Sequence, residues 1–173
     1  SLIFTIDPAT AKDLDDALHV KHISGEGDGA IYEIGVHIAD VSFFVDPLKD
    51  PALDEEAAKR ATTVYLIDSN IPMLPRPLCE RLCSLNPGVD RLAFSCIWQM
   101  NGNGDIVKDC TPWFGRTIIR SAAKMSYAVA AAIIDGAIEK GADGDVASWV
   151  GAEEFWPLQC RPFGGESPCK VYD

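Results

Sequence analysis

The sequence has no uninterrupted apolar run near the ~20 residues that a membrane-spanning helix requires. It also has no excess of basic residues, because 15 Lys and Arg stand against 26 Asp and Glu, for a formal net charge of −11. A self-sufficient nucleic-acid-binding domain normally carries a basic face, and this balance argues against one. We therefore expect a soluble chain with no membrane partner that does not by itself supply a nucleic-acid groove.

Paired cysteines are also absent, since none of the six forms a C-x-x-C motif. Cys79 and Cys83 are spaced as neighbours on a helix, but no second His or Cys pair lies at the spacing of a zinc site. The thiols are therefore predicted to be free in a reducing, intracellular compartment. Because the chain starts at Ser1 without a methionine and ends in CKVYD, we expect a piece of a longer protein.

The 173 residues are 47% hydrophobic, which is enough for one domain with a core. Short β-branched or aromatic segments predict strands at residues 2–6, 17–23 and 31–38. Two alternating apolar runs around NGNG predict an antiparallel hairpin over residues 91–121. The aromatic residues of this hairpin are predicted to lie in the core: Phe94, Trp98, Trp113 and Phe114.

Three segments carry helix signals. Acidic residues followed by apolar positions at helical spacing predict a helix over about 53–61, and a second, short helix is expected after Pro75. Ser121 and Gly136 are the predicted N-cap and C′ residue of an alanine-rich helix. Residues 137–173 are turn-rich and show no periodicity.

The three histidines receive structural interpretations. His37 lies in a strand-like run and is predicted to be a hydrogen-bonded structural residue, although its nearness to Asp40 leaves a role in orienting a site open. His19 and His22 are predicted to lie on the surface.

The stretch TIDPATAKDLDDALHV gathers four aspartates between two strand-like segments: Asp7, Asp13, Asp15 and Asp16. Two carboxylates about 4 Å apart repel by roughly 4 kcal/mol at an effective dielectric of about 20. Side chains that splay into solvent are one solution, and a bound divalent cation is another. Magnesium prefers carboxylates, waters and phosphates, and a two-metal site of such oxygen ligands can cleave a phosphodiester.

Two other aspartate motifs fail on detail. An EF-hand loop that began at Asp13 would need a third ligand where Ala17 stands and a glycine where Leu18 stands. An aspartyl-phosphate phosphatase would place its first aspartate at the end of an apolar strand, whereas Asp13 follows the residues ATAK.

Five ordered blocks resemble the RNB catalytic domain of the RNase II/RNase R exoribonuclease family: DPATAKDLDDALHV, GVHIADVSFFV, RATTVYL, IPMLPRPLCERLCSLNPGVDRLAFSCIW and WFGRTIIRSAAKMSY. They are most similar to the eukaryotic branch, and within it to the cytoplasmic, exosome-independent enzymes that degrade 3′-uridylated RNA. The implied fold class is α+β, a curved, mostly antiparallel sheet with packed helices. Residues 1–136 would form its N-terminal half, and residues 137–173 match no part of the pattern.

The resemblance implies magnesium-dependent, processive 3′→5′ hydrolysis of single-stranded RNA to nucleoside 5′-monophosphates. Asp7 and Asp16 match direct metal ligands of the family. Asp13 matches a supporting acidic residue of the metal site, and Asp15 matches the aspartate essential for catalysis. Tyr65 matches the aromatic residue that packs on the RNA near its 3′ end.

Further expectations attach to the same resemblance. Arg116 is a candidate contact for an RNA phosphate. Mn²⁺ suits the same oxygen ligands as Mg²⁺. Other RNA-decay factors are expected partners. The later half of an RNB domain, which supplies an arginine and further contacts at the scissile phosphate, is not recognisable here. An inactive RNB-like RNA-binding or scaffold module is therefore the alternative, and the chain alone is expected to be a poor nuclease.

Overall fold

The computed structural model describes residues 2–135 and 161–162. This part of the chain contains nine strands: β1 (Leu2–Asp7), β2 (Asp16–Ser24), β3 (Ile31–Ala39), β4 (Val64–Tyr65), β5 (Asn70–Ile71), β6 (Asp90–Asn101), β7 (Trp113–Arg120), β8 (Ala123–Ser126) and β9 (Arg161–Pro162). Seven of them form one mixed sheet in the order β8-β1-β2-β3-β6-β7-β9, and β4 pairs with β5 alone.

The sheet is mostly antiparallel. Strands β1 and β8 run parallel, and each of the other neighbouring pairs is antiparallel. Helices accompany the sheet, so the predicted α+β class and the predicted strands at 2–6, 17–23 and 31–38 are confirmed. The predicted hairpin is confirmed as the β6–β7 pair, although its second strand starts only at Trp113, after an irregular connection.

The helices are α1 (Val41–Phe44), α2 (Pro51–Arg60) and α3 (Tyr127–Ile134), with a 3₁₀ turn at Gly27–Gly29 and a π-helical turn at Leu78–Cys83. Helix α2 starts earlier than predicted, because the Asp50 carboxylate caps it by accepting from the Leu53 amide at 3.0 Å and Pro51 opens the first turn. The π-helical turn is the short helix expected after Pro75. None of the helices within residues 2–135 and 161–162 combines the length and hydropathy of a transmembrane span.

The helix predicted to start at Ser121 is wrong in its first turn. Residues Ala123–Ser126 instead form β8, whose backbone groups are satisfied by pairing with β1 and whose Ala123 and Met125 are buried. The Ser121 hydroxyl donates to the Ala123 carbonyl, so it caps no helix. Ser126 is the true N-cap, since its hydroxyl accepts from the Val129 amide at 3.2 Å.

One face of the sheet carries the core. Alternation along the strands directs small and branched side chains to this face, where they pack with residues from the aspartate-bearing segment and the π-helical turn. The buried cluster consists of Ile3, Leu14, Ala17, Ala39, Cys83, Leu85, Ala93 and Ile119.

Two hairpin aromatics lie outside this core, contrary to prediction. Phe94 is 47% exposed and Phe114 is 62% exposed, because each alternates with residues that take the buried face. Trp98 and Trp113 are partly buried. The neighbours of Phe94 on the buried face are the small residues Ala93 and Ser95.

The buried face also holds a polar chain that crosses four strands. His19 Nδ1 lies 2.8 Å from His37 Nε2, and His37 Nδ1 lies 2.6 Å from the Ser95 hydroxyl. The Ser95 hydroxyl lies 2.6 Å from that of Thr117. His37 is therefore a hydrogen-bonded structural residue, as predicted, but the surface prediction for His19 is wrong. His19 is buried because it pairs with Gly35, where any side chain would collide with its ring.

Candidate active site

Residues 8–15, hereafter the aspartate loop, join the first two strands of the sheet. Asp7 is the last residue of β1 and Asp16 is the first residue of β2. Asp13 and Asp15 lie in the loop itself, which contains no regular secondary structure. The sheet therefore fixes two of the four aspartates, and the loop conformation determines where the other two point.

The four aspartates open into a single cleft of about 710 Å³. Tyr65 lines the same cleft, so the structure brings together every predicted site residue except Arg116. The remaining lining residues, which sequence reasoning did not single out, are Pro8, Thr10, Ala11, Lys12, Asp68, Ser69, Asn70 and Arg76.

Burial and mutual repulsion disfavour the charged forms of two aspartates. Burial raises the pKa of Asp7, and the negative charges of Asp16 and Asp13 raise it further, against opposing effects of the Thr5 hydroxyl and of the Lys124 charge. Asp15 faces the cleft, yet the surrounding protein desolvates its carboxylate enough to raise its pKa, with Asp13 adding to the shift. A cation in the cleft would relieve this repulsion.

Tyr65 lies in the β4–β5 hairpin, lines the cleft and is 71% exposed. The negative charge of Asp13 raises the pKa of its phenol, which reflects how near the ring lies to the aspartates. Arg76 holds this hairpin, since its Nη2 donates to the Asn70 carbonyl at 2.9 Å and to Asn70 Oδ1 at 3.0 Å. Its Nη1 also pairs with Glu80 at 2.8 Å.

Arg116 lies elsewhere and already has an anionic partner. Its Nε lies 2.9 Å from Asp40 Oδ2, and Asp40 is only 4% exposed. The Ser42 hydroxyl donates to the other oxygen of Asp40 at 2.7 Å. A contact between Arg116 and RNA stays a prediction, and no local signal in the sequence indicated the pairing with Asp40.

The aspartate carboxylates of the cleft suit a magnesium ion that keeps waters and substrate phosphates as further ligands. They do not suit a site in which protein side chains alone surround the ion. Within residues 2–135 and 161–162, no three His, Cys, Asp or Glu side chains are placed to hold an ion by themselves. Magnesium usually takes only one or two carboxylates and completes its shell with waters and substrate phosphates. One Asp7 oxygen, Oδ2, is buried with no hydrogen-bond partner among the described residues, as expected of an unfilled ligand position.

Comparison with known proteins places the chain in a family. The sequence model of the RNB domain matches residues 1–154. The chain belongs to the RNB family. This match covers the five blocks quoted above and extends past residue 136, into residues that lie outside the described part of the structure.

The RNB relatives confirm the predicted eukaryotic branch. The chain is 55% identical over 135 residues to "DIS3-like exonuclease 2" of Schizosaccharomyces pombe, covering 78% of this chain and 14% of that protein. It is also 53% identical over 134 residues to an "Inactive exonuclease DIS3L2" of Arabidopsis thaliana, covering 78% of this chain and 12% of that protein. The chain therefore spans only a small part of the curated relatives it matches, and similarity alone does not separate active from inactive ones.

The solved RNB structures show the same fold. Mycoplasma genitalium RNase R in complex with ribose methylated single-stranded RNA superimposes with a TM-score of 0.69 at 31% sequence identity. The superposition covers 86% of this chain and 22% of RNase R.

Proposed function

We propose that the full-length protein is a magnesium-dependent, processive 3′→5′ exoribonuclease that hydrolyses single-stranded RNA to nucleoside 5′-monophosphates. One observation carries the proposal: in a chain of the RNB family, four aspartates and Tyr65 line the same cleft. The proposal also includes other RNA-decay factors as partners and a cytoplasmic location, both from the resemblance to the eukaryotic branch. A reducing compartment agrees with the free thiols at Cys79, Cys83, Cys96 and Cys110.

Each residue would have a distinct task. Asp7, Asp13 and Asp16 would hold the ions, and Asp15 would position a second ion or the attacking water. Bound magnesium, or manganese, would neutralise charge on the scissile phosphate and lower the pKa of a bound water. Tyr65 would stack on the 3′-terminal nucleotide and so orient the phosphate for in-line attack.

RNA is the partner that the comparisons favour. The RNase R relative was solved with single-stranded RNA, and its fold matches 86% of this chain. The net charge of −11 is unsuited to holding a polyanion, so the basic contacts must come from the rest of the full-length protein. An acidic segment can therefore carry the catalytic aspartates while other parts of the full-length protein supply the positive charge that binds RNA.

A second candidate is an RNB-like RNA-binding module without turnover. It is favoured by the 53% identity to a relative that carries the word "inactive" in its name. The complete set of cleft aspartates favours the enzyme, because a pure binding surface gains nothing from carboxylates that repel phosphate.

The decisive experiment follows a 5′-labelled RNA with a single-stranded 3′ tail, incubated with the full-length protein and Mg²⁺. We expect stepwise shortening from the 3′ end to a short residual oligonucleotide, with release of nucleoside 5′-monophosphates. Asp15→Asn, which keeps the shape but removes the charge, should abolish the shortening while RNA binding persists.

Asp28→Asn is the matched control, because Asp28 is exposed in the 3₁₀ turn and does not line the cleft. This variant should degrade RNA at the wild-type rate. Intact RNA in all three reactions, with binding retained, would reject the nuclease and support the binding module.

A further inference from the structure

The aspartate loop has little internal support. Its own backbone hydrogen bond joins the Ala11 amide to the Pro8 carbonyl at 2.9 Å. The carboxylates that it carries repel one another, and this repulsion would push the loop open. Groups from outside the loop must therefore hold its conformation.

Ser84 provides the most direct external anchor. It is fully buried just after the π-helical turn, and its hydroxyl accepts from the Leu14 amide at 3.0 Å. The same hydroxyl donates to the Lys12 carbonyl at 3.2 Å. One side chain thus binds the backbone on both sides of Asp13, from a position about seventy residues away in sequence.

Neighbouring contacts keep Ser84 itself in place. The Leu85 amide donates to the Leu14 carbonyl at 2.9 Å, which adds a main-chain link between the two segments. The guanidinium of Arg91 donates from Nε to the Ser84 carbonyl at 2.9 Å. At the other end of the loop, Lys124 Nζ lies 2.5 Å from the Ala11 carbonyl.

We propose that Ser84 is a positioning residue of the aspartate site, which sets the direction of Asp13 by fixing the backbone between Lys12 and Leu14. This inference rests on the proposed function, because it assigns Ser84 a role in magnesium binding through Asp13. The hydroxyl touches neither substrate nor metal and acts only through the loop.

The Ser84 hydroxyl supplies the hydrogen-bond partner of a buried backbone amide, that of Leu14. Leu14 is 1% exposed, so without the Ser84 hydroxyl its amide would be left in a dry environment with no partner. The loop would then rearrange to hydrate that amide, and this movement would displace Asp13. Partners that hydrogen-bond directly to a metal ligand typically account for about 10- to 100-fold in metal affinity or activity. Ser84 bonds the backbone on either side of Asp13 and not its carboxylate, so we expect an effect at the lower end of this range.

The test compares the full-length wild type with Ser84→Ala by calorimetric titration with Mg²⁺ and by the rate of nucleotide release. We expect Mg²⁺ affinity to fall about tenfold and kcat to fall in parallel. KM for RNA should change less than twofold, because Tyr65 and the rest of the protein still hold the RNA. Hydrogen exchange at the Leu14 amide should accelerate.

Ser121→Ala is the matched control. Ser121 is equally buried, and its hydroxyl also bonds a backbone carbonyl, but it does not contact the aspartate loop. We expect it to lower thermal stability without changing Mg²⁺ affinity. If Ser84→Ala does not fold, Ser84→Cys, which keeps a weak donor and acceptor, takes its place, and its Mg²⁺ affinity should fall severalfold while that of Ser121→Ala stays at the wild-type value.

Equal Mg²⁺ affinity in the Ser84 and Ser121 variants would overturn the inference. Failure of the proposed function looks different: the wild type would bind Mg²⁺ but release no nucleotides. The titration and the exchange rate would then still decide whether Ser84 positions the loop.

Discussion

At the residue scale, His37 is held in its neutral form by the groups around it. The Thr117 hydroxyl donates to the Ala93 carbonyl, so the Ser95 hydroxyl donates to Thr117 and His37 Nδ1–H donates to Ser95. His37 Nε2 is then left as the acceptor toward His19. Burial, together with the charge of His19, lowers the pKa of His37 from 6.5 to about 3.

This shift predicts a loss of stability in mild acid. Below pH 6.5 the unfolded chain takes up a proton at His37 that the folded chain refuses until about pH 3, so the free energy of unfolding falls as the pH falls through this window. Between pH 7 and pH 5 this one group should cost about 2 kcal/mol. Urea unfolding at both pH values should show that His37→Gln removes this part of the pH dependence.

His22 provides the control for this effect because its side chain is exposed. His22→Gln should keep the wild-type pH dependence of unfolding. The account of His37 is contradicted if His37→Gln and His22→Gln lose the same stability between the two pH values.

At the scale of the element, the β4–β5 hairpin depends on Arg76 for its position over the cleft. Replacing Arg76 by Met removes both hydrogen bonds to Asn70 and the pair with Glu80, while it keeps most of the side-chain volume. Tyr65 would then be held less firmly, and stacking of a base on an aromatic side chain is worth about 1–3 kcal/mol. We expect Arg76→Met to raise KM for RNA roughly fivefold or more, measured by steady-state nucleotide release.

Arg120→Met tests whether loss of charge alone explains such a result. Arg120 pairs with Asp90 at 2.8 Å and does not line the cleft. This variant should retain the wild-type KM, and an equal rise in both variants would show that the hairpin is not the cause.

The sequence predicts local elements well where periodicity and turn chemistry agree. The first three strands and the β6–β7 pair follow directly from alternation and from the NGNG turn. Strand β8 could not be predicted, because AAKMS has the composition of a helix and becomes a strand only by pairing with β1, far away in sequence. The surface position predicted for His19 is wrong for a similar reason, since the burial of His19 depends on the absence of a side chain at Gly35.

The candidate site shows the same limit. The aspartates and Tyr65 were found from the sequence because they resemble a family pattern, and the structure places them in one cleft. The Ser84, Arg76 and Asp40 contacts join segments that only the fold brings together, and no local pattern predicts them.

At the scale of the whole molecule, the second face of the sheet exposes several large apolar side chains in the described structure. Ile38 and Phe94 are paired across β3 and β6 and are 47% exposed each, and Phe114 and Val20 extend the patch on either side. Exposed apolar areas of this kind promote association. Residues 1–173 prepared alone should therefore self-associate. They should also release no nucleotides from RNA, because they span only 14% of the Schizosaccharomyces pombe relative.

Sedimentation velocity of the isolated chain, beside a Phe94→Thr/Phe114→Thr variant, checks this expectation. Threonine preserves strand propensity while removing the apolar rings, so the variant should sediment as a smaller species. A monomeric wild-type chain that releases mononucleotides with Mg²⁺ would contradict both parts of the prediction.

Under the proposed function, the four cleft aspartates form a magnesium-dependent nuclease site. The most direct test is a Mg²⁺ titration of nucleoside 5′-monophosphate release from single-stranded RNA by the full-length protein and its Asp15→Asn variant. We expect saturable activation of the wild type by Mg²⁺ and no release by the variant at any Mg²⁺ concentration. Release that is independent of Mg²⁺, or that is equal in both proteins, would rule out such a site.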